Sequence, residues 1–70
     1  DYKTKLQEYV QSDSRQTVRY ELVRETGPSN APEFVMNVLV DGLVLGTGSG
    51  QSKKQAEQNA ARNAFEKMAK

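Results

Sequence analysis

Gly46-Thr47-Gly48-Ser49-Gly50-Gln51-Ser52-Lys53-Lys54 is the stretch on which the reading of this chain turns. Its three glycines let backbone pass close to something. Ser52 with Gln55 makes a capping box, which marks a helix start. Behind it, Ala56, Ala60, Ala61, Ala64, Phe65 and Met68 recur at helical spacing. They predict a helix from Ser52 to about Met68, about 25 Å long. Four alanines on that stripe predict a close approach of the helix to its neighbour. Two lysines in the first turn oppose the helix dipole at a cost of roughly 0.3–1 kcal/mol. An anion such as phosphate at this end would offset that cost, because a helix N-terminus already presents unpaired N–H groups. The plainer alternative is a flexible strand-to-helix connection with solvated lysines.

The elements upstream follow from periodicity. Residues 2–11 place Tyr2, Leu6, Tyr9 and Val10 on one helical face, with Asp1 as N-cap and Ser12-Asp13-Ser14 as a terminating turn. Residues 17–25 alternate, with Val18, Tyr20 and Leu22 on one side and Arg19, Glu21 and Val23 on the other. Gly27-Pro28-Ser29-Asn30-Ala31-Pro32 is a loop. Residues 33–40 form a second strand, with Phe34, Met36, Val38 and Val40 on one face. Asp41-Gly42 is a hairpin turn, and residues 43–47 are the third strand. The order is α-β-β-β-α. The fold class is α+β: a three-stranded antiparallel sheet with two helices packed on one face, in one domain spanning residues 1–70.

Composition narrows the chemistry. The 70 residues include no cysteine and no histidine. Disulfide staples, thiolate or imidazole metal sites and His-based triads are therefore excluded. No apolar run approaches the roughly 20 residues of a membrane span, and no signal peptide is evident. No membrane partner is expected, and the cysteine usage fits the cytoplasm. The net charge is only +1. Its distribution is uneven: residues 1–35 carry five basic and six acidic side chains, residues 36–70 five and three. Any basic footprint is a local patch.

Two further segments carry chemistry. Thr4, Gln7, Glu8 and Gln11 share a polar face of the first helix, with mixed donors and acceptors that suit ribose 2′-OH groups. Glu8 is repelled by phosphate but can accept from a 2′-OH. The Gly27–Pro32 loop has a stiff backbone and small polar tips at Ser29 and Asn30. Taken singly, the first reads as a solvated helix face and the second as a loop that merely turns a hairpin. The glycine-rich stretch itself matches neither G-x-x-x-x-G-K-[ST] nor G-x-G-x-x-G, so it is not a nucleotide loop.

Together these residues resemble the double-stranded-RNA-binding domain, most of all the C-terminal domain of bacterial ribonuclease III. The resemblance rests on Asp1 through Glu8, Tyr20-Glu21-Leu22, Gly27-Pro28, Phe34 through Val38 and Gly46 through Ala61. Within the last, Ser52-Lys53-Lys54-Gln55-Ala56-Glu57-Gln58-Asn59-Ala60-Ala61 is the most specific segment. The resemblance implies three RNA contacts. Thr4, Gln7, Glu8 and Gln11 meet one minor groove. Pro28, Ser29 and Asn30 meet the next. Gln51, Ser52, Lys53 and Lys54 meet phosphates across the intervening major groove. It implies a parent endoribonuclease that processes structured RNA, its catalytic domain tethered to this one through a flexible linker. That catalytic domain needs a divalent metal such as magnesium, and this domain needs no cofactor. Two departures suggest modest affinity: Asn30 stands where the family often has histidine, and Glu57 where many members have a third lysine.

Two other readings compete. A docking or dimerising module would use Val23, Val35, Leu39 and Val44, placed on the sheet face away from the helices. The isolated domain is expected to be monomeric. An enzyme in its own right lacks an acidic cluster, since Glu57 and Glu66 lie nine residues apart on one helix. No catalytic residue and no metal ligand is assigned.

Overall fold

Asp1 opens the first helix as its position predicts. In the computed structural model, which describes residues 1–12 and 16–68, α1 spans Tyr2–Gln11. The Asp1 carboxylate accepts from the Thr4 N–H at 3.0 Å, and its carbonyl accepts from Lys5 N–H at 3.1 Å. Such a cap contributes about 1 kcal/mol. Leu6 and Val10 are buried, while Tyr9 stands half-exposed at the edge of the core. The Ser12 hydroxyl donates to the Tyr9 carbonyl at 2.9 Å. Asp13 and Ser14, expected to complete the turn, lie outside the described residues.

Three strands follow: β1 (Val18–Thr26), β2 (Glu33–Val40) and β3 (Leu43–Gly50), antiparallel in the order β1-β2-β3. Asp41 and Gly42 both take positive φ, 51° and 83°, which is the requirement of the tight hairpin turn. Thr17 ends up outside β1. It exchanges hydrogen bonds with Asp41 instead, donating its N–H to Oδ1 and accepting the Asp41 N–H, each at 3.2 Å. The last helix, α2, spans Lys53–Met68, with Ser52 as its cap rather than its first residue.

The largest departure from expectation is in the glycine-rich stretch. Residues 48–50 are strand, and only Gln51 and Ser52 connect β3 to α2. The glycines serve this packing. A Cβ on Gly46 would lie 2.6 Å from the Ala60 carbonyl oxygen, and one on Gly48 would overlap the Ala60 nitrogen. Ala56, Ala60, Ala61 and Ala64 are fully buried on the facing side of α2. Helix and strand therefore meet almost backbone to backbone. Two asparagines on α2 then bond the outer edge of β3. Asn59 Nδ2 donates to the Ser49 carbonyl at 2.6 Å, and Thr47 N–H donates to Asn63 Oδ1 at 3.1 Å. Those edge groups are thereby withdrawn from pairing with another strand.

The core lies between the helices and one sheet face: Leu6, Val10, Met36, Val38, Val40 and the four alanines, rimmed by Tyr2, Val18, Tyr20, Phe34, Leu45, Phe65 and Met68. Leu22 alternates onto this face but stays 45% exposed, outside the core. On the opposite face the four residues expected as one apolar surface do not form it. Val35 is buried, because β2 is flanked on both sides, and Leu39 is partly covered. Only Val23 and Val44 are well exposed. They sit on different edge strands, at opposite ends of the Val35–Leu39 span of β2. Each lies at or beside a register shift, Val23 in β1 and Val44 next to Leu45 in β3.

Where α1, β1 and α2 meet, Lys3 Nζ lies 2.6 Å from Glu57 Oε1 and 4.9 Å above the Tyr20 ring. The Tyr2 N–H, a free donor of the first turn, bonds Gln58 Oε1 at 3.0 Å. The Tyr20 hydroxyl is buried and has no hydrogen-bond partner among the described residues. Burial, with the Glu57 carboxylate adding to it, pushes its pKa up to about 12.

Gly48→Ala should lower stability by at least the roughly 1–3 kcal/mol of an overpacked core, read as a lower urea midpoint. Gly42→Ala meets open space and should cost only its φ strain. Tyr20→Phe removes an unpaired buried hydroxyl and should leave stability at neutral pH unchanged or higher. It should also remove part of a pH dependence. The hydroxyl loses its proton near pH 10 in the unfolded chain and only near 12 in the folded one. Its contribution is therefore full below pH 10 and is lost as pH rises toward 12. Urea midpoints of the parent and Tyr20→Phe chains across that window test the point. A midpoint well below the parent's at pH 7 would mean that the hydroxyl has a partner.

Candidate nucleic-acid interface

All eleven residues singled out from the sequence are exposed. They form three groups, and among the described residues no hydrogen bond joins one group to another.

The first group lies on α1. Leu6 and Val10 turn inward, which leaves Thr4, Gln7, Glu8 and Gln11 on the outer side. Gln7 and Gln11 approach only to 3.5 Å, and the Gln11 amide reaches the Gln16 carbonyl at 3.4 Å. Both contacts are long, so the two amides keep most of their capacity for an outside partner. A shallow open depression of about 230 Å³ runs along this face, lined by Lys3, Thr4, Gln7 and Glu8. Lys3 lines the depression as well, but its ammonium is taken by Glu57 on α2.

The second group is the β1–β2 loop. Gly27 enters it at φ 89°, and the Ala31 N–H closes a turn onto the Pro28 carbonyl at 2.9 Å. Ser29 and Asn30 are the two central residues, so both side chains stand at the tip. Thr26 pairs with Glu33 directly beneath them.

The third group begins α2. The Gln55 N–H donates to Ser52 Oγ at 3.0 Å, the forward half of the predicted capping box. The return half differs: Gln55 Oε1 accepts from Gln51 N–H at 2.7 Å, one residue earlier than expected. The Ser52 carbonyl takes the Ala56 N–H at 2.9 Å. The Lys53 and Lys54 N–H groups are left without an acceptor among the described residues. Neither ammonium is ion-paired there, the two pairs being Lys3–Glu57 and Arg62–Glu66. The Ser52 hydroxyl accepts as the cap and can still donate. Two backbone donors, two ammonium groups and a hydroxyl thus cluster at the positive end of a helix dipole, which is chemistry for phosphate.

The fold fixes the groups relative to one another. Gly50 pairs with Phe34, so the start of α2 and the β1–β2 loop occupy the same end of the sheet. Tyr2 bonds Gln58 while Tyr9 bonds the Met68 carbonyl at 3.2 Å, so the two helices run in the same sense. The Tyr9 and Phe65 rings meet edge-on with centroids 5.9 Å apart. The helix pair is held at both ends. Among the described residues, no group of three His, Cys, Asp or Glu side chains is placed to hold a metal ion, and no helix is long and apolar enough to cross a membrane.

Known proteins share this arrangement. A family profile described as "Double-stranded RNA binding motif" matches residues 2–68. Ribonuclease 3 of Streptococcus gordonii is 55% identical over 67 residues, covering 96% of this chain and 29% of that protein. Ribonuclease 3 of Bacillus licheniformis is 50% identical over 70 residues, covering 100% of this chain and 28% of its own length. The chain therefore spans less than a third of these relatives. The solution structure of the second such domain of DRB4 superimposes with a TM-score of 0.67 at 35% identity, covering 99% of this chain and 96% of that one. With the match running from the first residue of α1 to the last of α2, the chain belongs to the double-stranded RNA binding motif family.

Proposed function

We propose that this chain binds double-stranded RNA by its shape, as the substrate-binding module of a bacterial ribonuclease III. The observation that carries the reading is the start of α2, where Lys53 and Lys54 are exposed and, among the described residues, unpaired beside N–H groups without acceptors. A-form RNA presents a wide, shallow minor groove lined with 2′-OH groups and a deep, narrow major groove. Thr4, Gln7, Glu8 and Gln11 read ribose in one minor groove. Pro28, Ser29 and Asn30 read the next. Gln51, Ser52, Lys53 and Lys54 set the register on phosphates between them. Domains of this class span about 16 bp. B-DNA offers no 2′-OH and a different groove spacing, so discrimination follows from geometry.

Cleavage belongs to a catalytic domain of the parent, which carries the divalent metal such as magnesium. Tethering raises the local concentration of duplex around that domain. On this reading the protein is cytoplasmic, its substrates are structured RNAs, and the binding domain itself is monomeric. The similarity to two ribonuclease 3 chains over almost all of this chain supports the parent assignment.

Titration into a labelled duplex RNA of about 20 bp should give selective binding over DNA of the same sequence. With about three phosphates neutralised, log K should fall with log salt at a slope near −2 to −3. Equal affinity for the two duplexes would remove the 2′-OH reading. Lys53→Ala with Lys54→Ala should weaken binding about equally across RNA sequences and flatten the slope by about 2, with thermal melting unchanged. Unaltered affinity in that variant would take the phosphate role away from this helix start.

A further inference from the structure

The RNA reading leaves one residue unexplained. Glu57 places a carboxylate one turn beyond two lysines that need to be free. It lies four residues after Lys53 and three after Lys54, the spacings at which side chains on a helix meet and pair. A pair within α2 would tie up an ammonium meant for phosphate. Yet Glu57 pairs with neither. Its Oε1 lies 2.6 Å from Nζ of Lys3, which comes from α1, 54 residues away in sequence. Lys3 is in turn held in place. Its ammonium lies 4.9 Å over the Tyr20 ring, and the neighbouring Tyr2 N–H is fixed by Gln58 at 3.0 Å. Glu57 is the less exposed partner, at 23% against 36% for Lys3, so the contact is partly shielded from water and salt.

We propose that Lys3 is a positioning residue for the phosphate-binding end of α2: it holds the Glu57 carboxylate away from Lys53 and Lys54. The inference rests on the RNA-binding reading but concerns a residue that this reading does not require to touch RNA. Lys3 acts through Glu57, and the two form one unit with α2. The negative charge that Glu57 brings near the phosphate site is matched by a cation from the other helix. That cation lies on the same row of α1 as Gln7. Seating α1 on α2 and freeing the lysines are one event.

The test is a double-mutant cycle on the whole chain, with a duplex RNA of about 20 bp at two salt concentrations. Lys3→Met should weaken binding by about five-fold, the reach of a partly exposed ion pair. It should also flatten the salt slope by about 1. Glu57→Gln alone should not weaken binding. The double variant, with the net charge of the parent, should return to the parent's affinity, and Lys3→Arg should keep it. Without RNA, Lys3→Met should shift the Lys53 side-chain resonances in NMR spectra, and the double variant should restore them. A double variant as weak as Lys3→Met overturns the proposal, because Lys3 would then touch RNA itself. Unmoved Lys53 resonances in Lys3→Met overturn it without reference to RNA. A parent chain that binds no duplex, but whose Lys53 resonances move as described, overturns the RNA reading and leaves the hold on Glu57 standing.

Discussion

The close contact between α2 and β3 is the constraint on which the rest of the molecule depends. Among the described residues the core holds only two large side chains that are fully buried, Leu6 and Val38. Methyl groups of Ala56, Ala60, Ala61 and Ala64 occupy the helix side. Gly46 and Gly48 leave the strand side bare. Dispersion energy falls steeply with separation, so an interface this thin gains from approach what it lacks in side-chain bulk. It also fixes the axis of α2 tightly, since no long side chain is available to shift. Asn59 and Asn63 add hydrogen bonds to the backbone of β3 itself. The helix start is thereby tied to the sheet, and Ser52, Lys53 and Lys54 inherit a fixed position.

Charge completes what packing begins. A net charge of +1 gives the domain almost no long-range pull on a polyanion. What remains is short-range. At physiological salt the screening length is about 8 Å, so only cations close to the ligand contribute. Under those conditions the pairing of each lysine matters more than the overall count. Lys5 and Arg62 are turned toward the Tyr2 ring, at 5.2 and 5.8 Å, and Arg62 also pairs with Glu66 at 3.2 Å. Lys3 is spent on Glu57. Lys53 and Lys54 are the members of the set left uncommitted at a helix N-terminus.

Local signals made most of the fold legible in the sequence. Asp1 caps α1, Asp41-Gly42 turns the hairpin and Ser52 caps α2, because each acts on backbone within four residues of itself. The alanine stripe correctly predicted a close neighbour. The neighbour's identity was hidden, since glycines in a strand weaken it and read as a loop. Only the helix lying against them explains why residues 48–50 stay extended. Val35 lies on the face that alternation assigns it, but its burial there was hidden, because that depends on the strands to either side. In the candidate site, exposure of the eleven side chains was legible from helical spacing in α1, the Gly-Pro loop and the capped start of α2. The Lys3–Glu57 and Tyr2–Gln58 contacts were not, because no local pattern couples residues more than 50 positions apart.

Rigidity of the helix pair bears directly on selectivity for duplex shape. A reader of two minor grooves succeeds only if its contacts keep their separation. The structure pins one register at both ends. At the start, Gln58 takes the Tyr2 N–H and Glu57 takes Lys3. At the far end, Tyr9 packs edge-on against Phe65 and bonds the Met68 carbonyl. Polar contacts supply direction where methyl groups cannot. The apolar core therefore provides the stability, and a few bonds between the helices convert it into a ruler of fixed length.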